Sequence, residues 1–170
     1  MNNIQNFDIR IEEPCLENYA DPPEDPLGEL SNFSMAIRRF CFECNYQVSI
    51  QIGDVKKNVF FDPDICVLLE NNIPEKILAL SQGKEIEIIF MESCNLIINL
   101  KPTDNIINCT LQDFGYSSKQ QKFVLDKNQV LEVFINFLNK VMEKAVVGSY
   151  ITSLERDKFL MPIRKQAIAQ

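Results

Sequence analysis

Short segments in which apolar and polar residues alternate recur along the chain, and they constrain its fold more than any other feature. Alternation at every second residue places the apolar side chains on one face of a β-strand. The pattern predicts strands over residues 6–12, 46–52, 57–61, 86–90, 96–100 and 107–111, with a short last strand over 122–125. Gly53-Asp54 suits a tight turn between two of these segments, which favours antiparallel neighbours in meander order.

Residues 32–43 also alternate at first, with Phe33 and Ile37 on one face, so we predict a further strand there. The phase of the pattern changes at Arg38 and Arg39, and a β-bulge would explain the change. The two arginines would then lie on a solvated strand edge or offer donors to a carboxylate or phosphate.

Two short helices are predicted in the middle of the chain. Asp62 resembles a helix N-cap followed by Pro63 in the first turn, which starts a helix over 63–72. The next proline interrupts it, and a second helix over 74–82 ends before Gly83.

A longer amphipathic helix follows the strands. Asp126 and Gln129 have the spacing of a capping box, and the apolar positions after them repeat with the helical period to about residue 146. The helix is expected to stop near Gly148, and residues 149–170 form either a short helix or a docked tail.

The expected fold class is therefore α+β. We predict one antiparallel meander sheet of about six to seven strands, packed by the C-terminal amphipathic helix and by the short broken helix. Residues 1–148 would form a single domain, with 149–170 as its appendage.

One acidic, proline-rich segment carries the charge excess of the chain. The net charge is −7, from 24 acidic and 17 basic residues, and residues 12–30 contain seven acids and no base. Four prolines exclude a helix or a central strand over 13–30, which leaves a long loop. The candidate partner-binding residues are Glu12, Glu13, Glu17, Tyr19, Asp21, Glu24, Asp25 and Glu29.

Seven clustered acids indicate either a solvated loop or a surface for a basic protein partner. Tyr19 would be the aromatic anchor of such a surface. Binding to nucleic acid or to an anionic membrane is not expected, because affinity for those polymers comes largely from lysine and arginine.

The composition also excludes several kinds of chemistry. There is no histidine, so Ser-His-Asp and Cys-His catalysis are ruled out, and no glycine-rich phosphate loop or dinucleotide fingerprint is present. We expect no cofactor. Cys41 and Cys44 form a lone CxxC on the predicted strand, and reduced, half-buried thiols are the simplest interpretation of all six cysteines.

Two carboxylate pairs keep an enzymatic alternative open. Asp62 with Asp64, or Glu85 with Glu87, could serve as acid and base or hold a divalent ion in a hydrolase or lyase. The simpler interpretations are a helix cap for the first pair and the solvent face of a strand for the second. No secretory signal or membrane-spanning run is evident, so a cytosolic location is expected.

From Asn58 to Val146, the order of a strand, a helix after Asp62, a meander and a long amphipathic helix resembles immunity proteins of bacterial contact-dependent and polymorphic toxin systems. The resemblance lies in layout and composition, and no residue role transfers with it. It implies a cytoplasmic protein that binds one cognate toxin domain and blocks it. Residues 149–170 leave a third hypothesis, a subunit or adaptor that docks through its C-terminal segment.

Overall fold

The computed structural model describes residues 3–14, 21–115 and 118–167, with side chains up to residue 164 in the last helix. It confirms the α+β class. The strands are β1 (Phe7–Pro14), β2 (Tyr46–Ile52), β3 (Val55–Phe60), β4 (Ile86–Phe90), β5 (Leu96–Thr103), β6 (Ile106–Asp113) and β7 (Lys119–Asp126). The helices are α1 (Asn32–Cys44), α2 (Cys66–Glu70), α3 (Ile73–Ser81), α4 (Lys127–Val147) and α5 (Ser153–Ala167), with a π-helical turn at Phe61–Ile65.

The strands form two antiparallel sheets, so the prediction of a single meander sheet was wrong. One sheet has the order β1-β2-β3 and the other has the order β4-β5-β6-β7. The helical segment after β3 carries the chain away from the first sheet, so β4 starts a second sheet instead of pairing with β3. The two sheets touch where Gln5 forms a parallel bridge with Leu125, and the Gln5 N–H donates to the Val124 carbonyl at 2.8 Å.

Residues 32–44 form helix α1, which corrects the predicted strand over 32–43. The Ser31 hydroxyl caps the helix by accepting from the Ser34 N–H at 3.0 Å. Ile37, Phe40 and Cys41 are buried on one face, at the spacing that a helix brings together. The change of phase at the two arginines, which we attributed to a β-bulge, is explained by the helical period.

The other predicted strands are confirmed, and β7 is longer than the four residues expected. Gly53 lies in the turn between β2 and β3 with φ at 59°, a conformation that glycine adopts without strain. Residues 6–12 form most of β1, which pairs with β2 through the register Ile9 to Ile50.

The start of α4 differs in one respect from a capping box. The Asp126 side chain accepts from the Gln129 N–H at 2.8 Å, as predicted. The Gln129 side chain reaches β1 instead of the helix cap: its Oε1 accepts from the Phe7 N–H at 3.3 Å and its Nε2 donates to Asn6 at 2.5 Å. Gln129 therefore ties the long helix to the first strand.

Asp62 is not the N-cap that the sequence predicted. Its backbone is extended, with φ −113° and ψ 119°, and the bond to Pro63 is cis. Asp64 supplies the nearby carboxylate contact, because its Oδ2 accepts from the Phe60 N–H at 3.0 Å. The second predicted helix is present as α3, which has its proline in the first turn.

Helix α5 packs on α3 and α4. Its Leu160 and Ile163 are buried, and they belong to the same apolar core as the two sheets. Within the described part of the chain, no helix combines the length and apolar character that crossing a bilayer would require.

The core lies where the inner faces of both sheets meet the helices. Phe7 and Ile50 from the first sheet, Ile88 and Ile98 from the second, and Phe134 from α4 all border one internal cavity. That cavity has a volume of about 10 Å³, too small to hold one water molecule comfortably.

An ion pair also links the two sheets. Lys57 on β3 donates to the Asp113 carboxylate at the end of β6, with Nζ and Oδ2 2.5 Å apart. The same carboxylate accepts from the Gly115 N–H at 3.0 Å. Both hydrogen bonds hold the pKa of Asp113 below its ordinary value, and the bond from Lys57 has the larger effect.

We expect Asp113→Asn to lower the free energy of unfolding at pH 7 by up to about 1 kcal/mol, the range of partly exposed ion pairs. The pKa of Asp113 is lower in the folded protein than in the unfolded chain. This stabilisation is therefore fully present at pH values above the pKa of the unfolded chain. It is lost as the pH falls through the folded value. Urea unfolding between pH 7 and pH 3 measures the difference, and Lys57→Met should remove most of it. An equal loss at both pH values would contradict the assignment.

Candidate functional site

The structure describes most of the predicted acidic segment. Glu17 and Tyr19 lie outside the described residues, so their part in the site stays a prediction. The described members are Glu12, Glu13, Asp21, Glu24, Asp25 and Glu29.

Two of these acids are occupied by contacts within the protein. Glu12 accepts from the Ser49 hydroxyl at 2.7 Å and lies 3.8 Å from the Lys56 ammonium group, on the surface of the first sheet. Asp25 accepts from two backbone N–H groups, those of Glu29 at 3.0 Å and Leu30 at 2.9 Å. Asp25 therefore shapes the loop that leads into α1.

The remaining described acids, Glu13, Asp21, Glu24 and Glu29, are exposed. Across residues 3–14, 21–115 and 118–164, none of them has an ion-pair partner. These four are the members of the segment that a partner could use.

Arg38 and Arg39, in the segment that was predicted as a strand, lie on α1 and bind carboxylates of the same protein. Arg38 binds Glu70 through two bonds, Nε to Oε1 at 2.6 Å and Nη2 to Oε2 at 3.2 Å. The bond to Glu70 raises the pKa of Arg38, and Asp25 contributes a smaller electrostatic effect in the same direction. Arg39 pairs with Glu43 one helical turn away at 3.4 Å. Neither forms the free donor pair considered from the sequence.

An apolar groove is lined in part by α1, the helix that follows the acidic loop. It has a volume of about 470 Å³ and lies between the N-terminal parts of α1 and α3 and the side of α5. Phe33 and Phe159 form much of its apolar wall, with ring centroids 5.7 Å apart. The described residues that line it are Ser31, Phe33, Asn72, Pro74, Glu75, Glu155, Lys158, Phe159 and Pro162.

The rim of this groove is more acidic than basic. Among the described residues, the lining contains two acids, Glu75 and Glu155, and one base, Lys158. The Glu155 carboxylate accepts from the Thr152 N–H at 2.7 Å and from the Thr152 hydroxyl at 2.9 Å. These bonds hold the pKa of Glu155 below its ordinary value, so it stays ionised at neutral pH. We call the groove together with loop residues 21–30 the acidic groove.

Sequence reasoning named the acids of the loop and missed both the apolar part of this site and the acids that line it, Glu75 and Glu155. The groove forms only if residues 32–44 are helical and α5 packs against the core. The sequence predicted a strand over 32–43, and it left open whether 149–170 is a short helix or a docked tail. The spacing of Phe33, Ile37 and Phe40, at i, i+4 and i+7, was the signal for α1 that the local alternation obscured.

The carboxylate pairs of the enzymatic alternative have different surroundings. Asp64 is 2% exposed, with Oδ2 bonded to the Ser93 hydroxyl and the Phe60 N–H, while Oδ1 has no hydrogen-bond partner. Burial, and then the charge of Asp64, raise the pKa of Asp62. Glu85 accepts from Asn99 at 2.8 Å. Within the described ranges, no three acidic or thiol side chains converge as metal ligands would.

The CxxC pair lies on α1 and not on a strand. Burial raises the pKa of Cys41 and of Cys44, which disfavours their thiolates. Burial likewise raises the pKa of Cys109 to about 12. Cys15 lies outside the described residues.

In comparisons with known protein families, curated proteins and solved structures, the chain matches none.

The division of the acidic segment into structural and free acids is testable. Asp25→Ala removes the acceptor for two backbone N–H groups, so we expect it to lower the free energy of unfolding by about 1 kcal/mol. Glu24→Gln and Glu29→Gln should each change it by less than about 0.5 kcal/mol, because their side chains are exposed. Thermal unfolding of the three variants measures this, and equal effects would contradict the division.

Proposed function

We propose that this chain is a small binding protein whose acidic groove receives a basic surface of a protein partner. The resemblance in layout to immunity proteins makes a toxin domain the proposed partner, and neutralisation of that domain in the cytosol the proposed activity. The observation that supports this most directly is that a loop with exposed, unpaired acids leads into α1, whose N-terminal part lines an apolar groove.

The apolar wall would supply most of the affinity. Protein interfaces derive their binding energy from a few anchors seated in desolvated pockets, with polar residues around them. Phe33 and Phe159 offer such a pocket, bordered by Pro74 and Pro162. A partner with an apolar anchor flanked by lysine or arginine fits both parts of the acidic groove.

The charged rim would act mainly on the rate of association. Asp21, Glu24 and Glu29 are exposed on the loop, and Glu75 lies on the groove itself. Opposite charges on two surfaces accelerate their encounter, and the effect weakens as salt screens them. Such an arrangement favours a basic partner over an acidic one at the first contact.

The first experiment identifies the partner. The tagged protein is used to capture proteins from the source cells at about 150 mM salt, where the screening length of roughly 8 Å still permits charge pairing. The proposal expects a stoichiometric partner with a basic domain, whose toxicity on expression is relieved by co-expression of this chain. An acidic partner, or a partner whose toxicity is unchanged, would overturn it.

The second experiment tests the acidic groove with that partner. A variant carrying Asp21→Asn, Glu24→Gln, Glu29→Gln and Glu75→Gln should bind with an association rate about tenfold lower at low salt. It should also have a weaker salt dependence than the native protein. Surface plasmon resonance over a salt series measures both quantities.

The matched control makes the same change in charge elsewhere. Glu87→Gln, Glu92→Gln, Asp104→Asn and Glu132→Gln replace four exposed acids outside the acidic groove. If only the net charge matters, association should slow equally in both variants. If the acidic groove binds the partner, association should slow only in the variant with substitutions in the groove. Equal association rates for the two variants would remove the acidic groove from the mechanism.

A further inference from the structure

The outer edge of β1 has no strand partner in the described part of the chain. β1 is the first strand of its sheet and pairs only with β2 along its length. On the second sheet, one backbone carbonyl of the edge strand β4, that of Glu87, accepts from the Lys76 ammonium group at 2.9 Å. Gln5 occupies the edge of β7. No comparable contact closes β1 beyond Phe7 among the described residues.

The alternation of an antiparallel ladder identifies which backbone groups of β1 are free. The Phe7 N–H leaves the sheet to reach Gln129, so Phe7 directs its N–H outward. Outward-facing residues alternate with residues bonded to the partner strand. Ile9 and Ile11 therefore also direct their N–H and carbonyl groups away from β2.

These backbone groups border a large groove between β1 and α4. Its volume is about 870 Å³, within the range of ligand-binding clefts. Asp8 to Ile11 form one wall, and Tyr46, Phe137 and Val147 supply apolar surface. Val147 is 76% exposed, which is unusual for an apolar residue on a helix that otherwise buries its apolar face.

The unpaired charges of this groove are positive. Asp8 pairs with Arg10 at 2.5 Å, and Glu143 pairs with Arg156 at 2.7 Å. Lys140 and Lys144 also line the groove, and neither has an ion-pair partner in the described part of the chain. The Lys144 ammonium group lies 4.7 Å from the centre of the Tyr46 ring. A positive groove on a chain of net charge −7 favours an acidic occupant.

From these observations we infer that the groove between β1 and α4 binds an extended acidic segment of a protein, which adds to the sheet as a strand beside β1. The outward backbone groups of Ile9 and Ile11 pair with the main chain of the segment. Lys140 and Lys144 bind its carboxylates, and Tyr46 and Val147 contact its apolar side chains. Strand addition of this kind takes affinity from backbone bonds and selectivity from side chains.

This surface is separate from the acidic groove. The N-terminal part of α1 lines the acidic groove, whereas Phe40 and Cys44, in its C-terminal half, line the groove beside β1. The two grooves select partner segments of opposite charge, so either can fail in experiment without the other.

The test uses two synthetic peptides of about ten residues, one alternating valine with glutamate and the other alternating valine with lysine. Each is titrated into the ¹⁵N-labelled protein at about 50 mM salt, and amide resonances are followed by NMR. The glutamate peptide should shift the amides of Ile9 and Ile11 and bind at least about tenfold more tightly than the lysine peptide.

Two variants separate the backbone and charge contributions. Ile9→Pro removes an outward N–H without removing a bond to β2, so the fold should persist while binding is lost. Lys140→Gln with Lys144→Gln should weaken the glutamate peptide about fivefold or more. Lys101→Gln with Lys122→Gln, on the second sheet, is the control with the same charge change and should have little effect. If Ile9→Pro does not fold, the lysine variants still decide.

Several results would overturn the inference. They are the absence of shifts at millimolar glutamate peptide, equal affinity for the two peptides, and equal effects of the two double-lysine variants. A dimer that forms through β1 without peptide, seen by analytical ultracentrifugation, would replace the proposed occupant by a second copy of the chain.

Discussion

The packing of β1 against α4 is the interaction on which the rest of the structure depends. Phe7 and Phe134 are in contact with ring centroids 5.2 Å apart, and Gln129 joins the same two elements by hydrogen bonds. β1 is the first strand of one sheet, and α4 follows directly from the last strand of the other. Their contact therefore brings the two sheets over a common core. Gln5 reinforces the junction by bridging β1 to β7.

That arrangement leaves two surfaces of different character at the ends of α1. Helix α1 has 13 residues and therefore spans about 20 Å at 1.5 Å per residue. Its N-terminal part borders a groove with an acidic rim and an acidic loop, and its C-terminal half borders a groove whose unpaired charges are lysines. The groove with the acidic rim therefore suits a basic protein segment, and the groove with Lys140 and Lys144 suits an acidic one. Both proposals follow from charge and shape, and they share no residue.

The sequence interpretation succeeded where one periodicity dominated. The alternating strands β1, β2, β4, β5 and β6 and the long helix α4 each show a clear period over their whole length, and all are present. It failed at α1, because Phe33 and Ile37 satisfy both a period of 2 and a helical period, so local pattern could not choose between them. Burial of Phe40 and Cys41 against the core makes the helix the better solution. The prediction that Asp62 caps a helix was also wrong. It is Asp64, two residues later, whose carboxylate accepts from the backbone N–H of Phe60.

The sequence by itself determined the α+β class, most of the strands, the capped helix and the concentration of acids in residues 12–30, because these depend on local spacing and composition. Only the tertiary structure decided that the strands divide into two sheets, that Glu12 and Asp25 accept hydrogen bonds within the protein, and that α1, α3 and α5 form an apolar groove. Only it showed that β1 keeps an open edge beside two lysines. These features arise from contacts between residues far apart in the chain, such as Phe33 with Phe159 and Phe7 with Gln129. Local periodicity carries no information about which distant elements share a core.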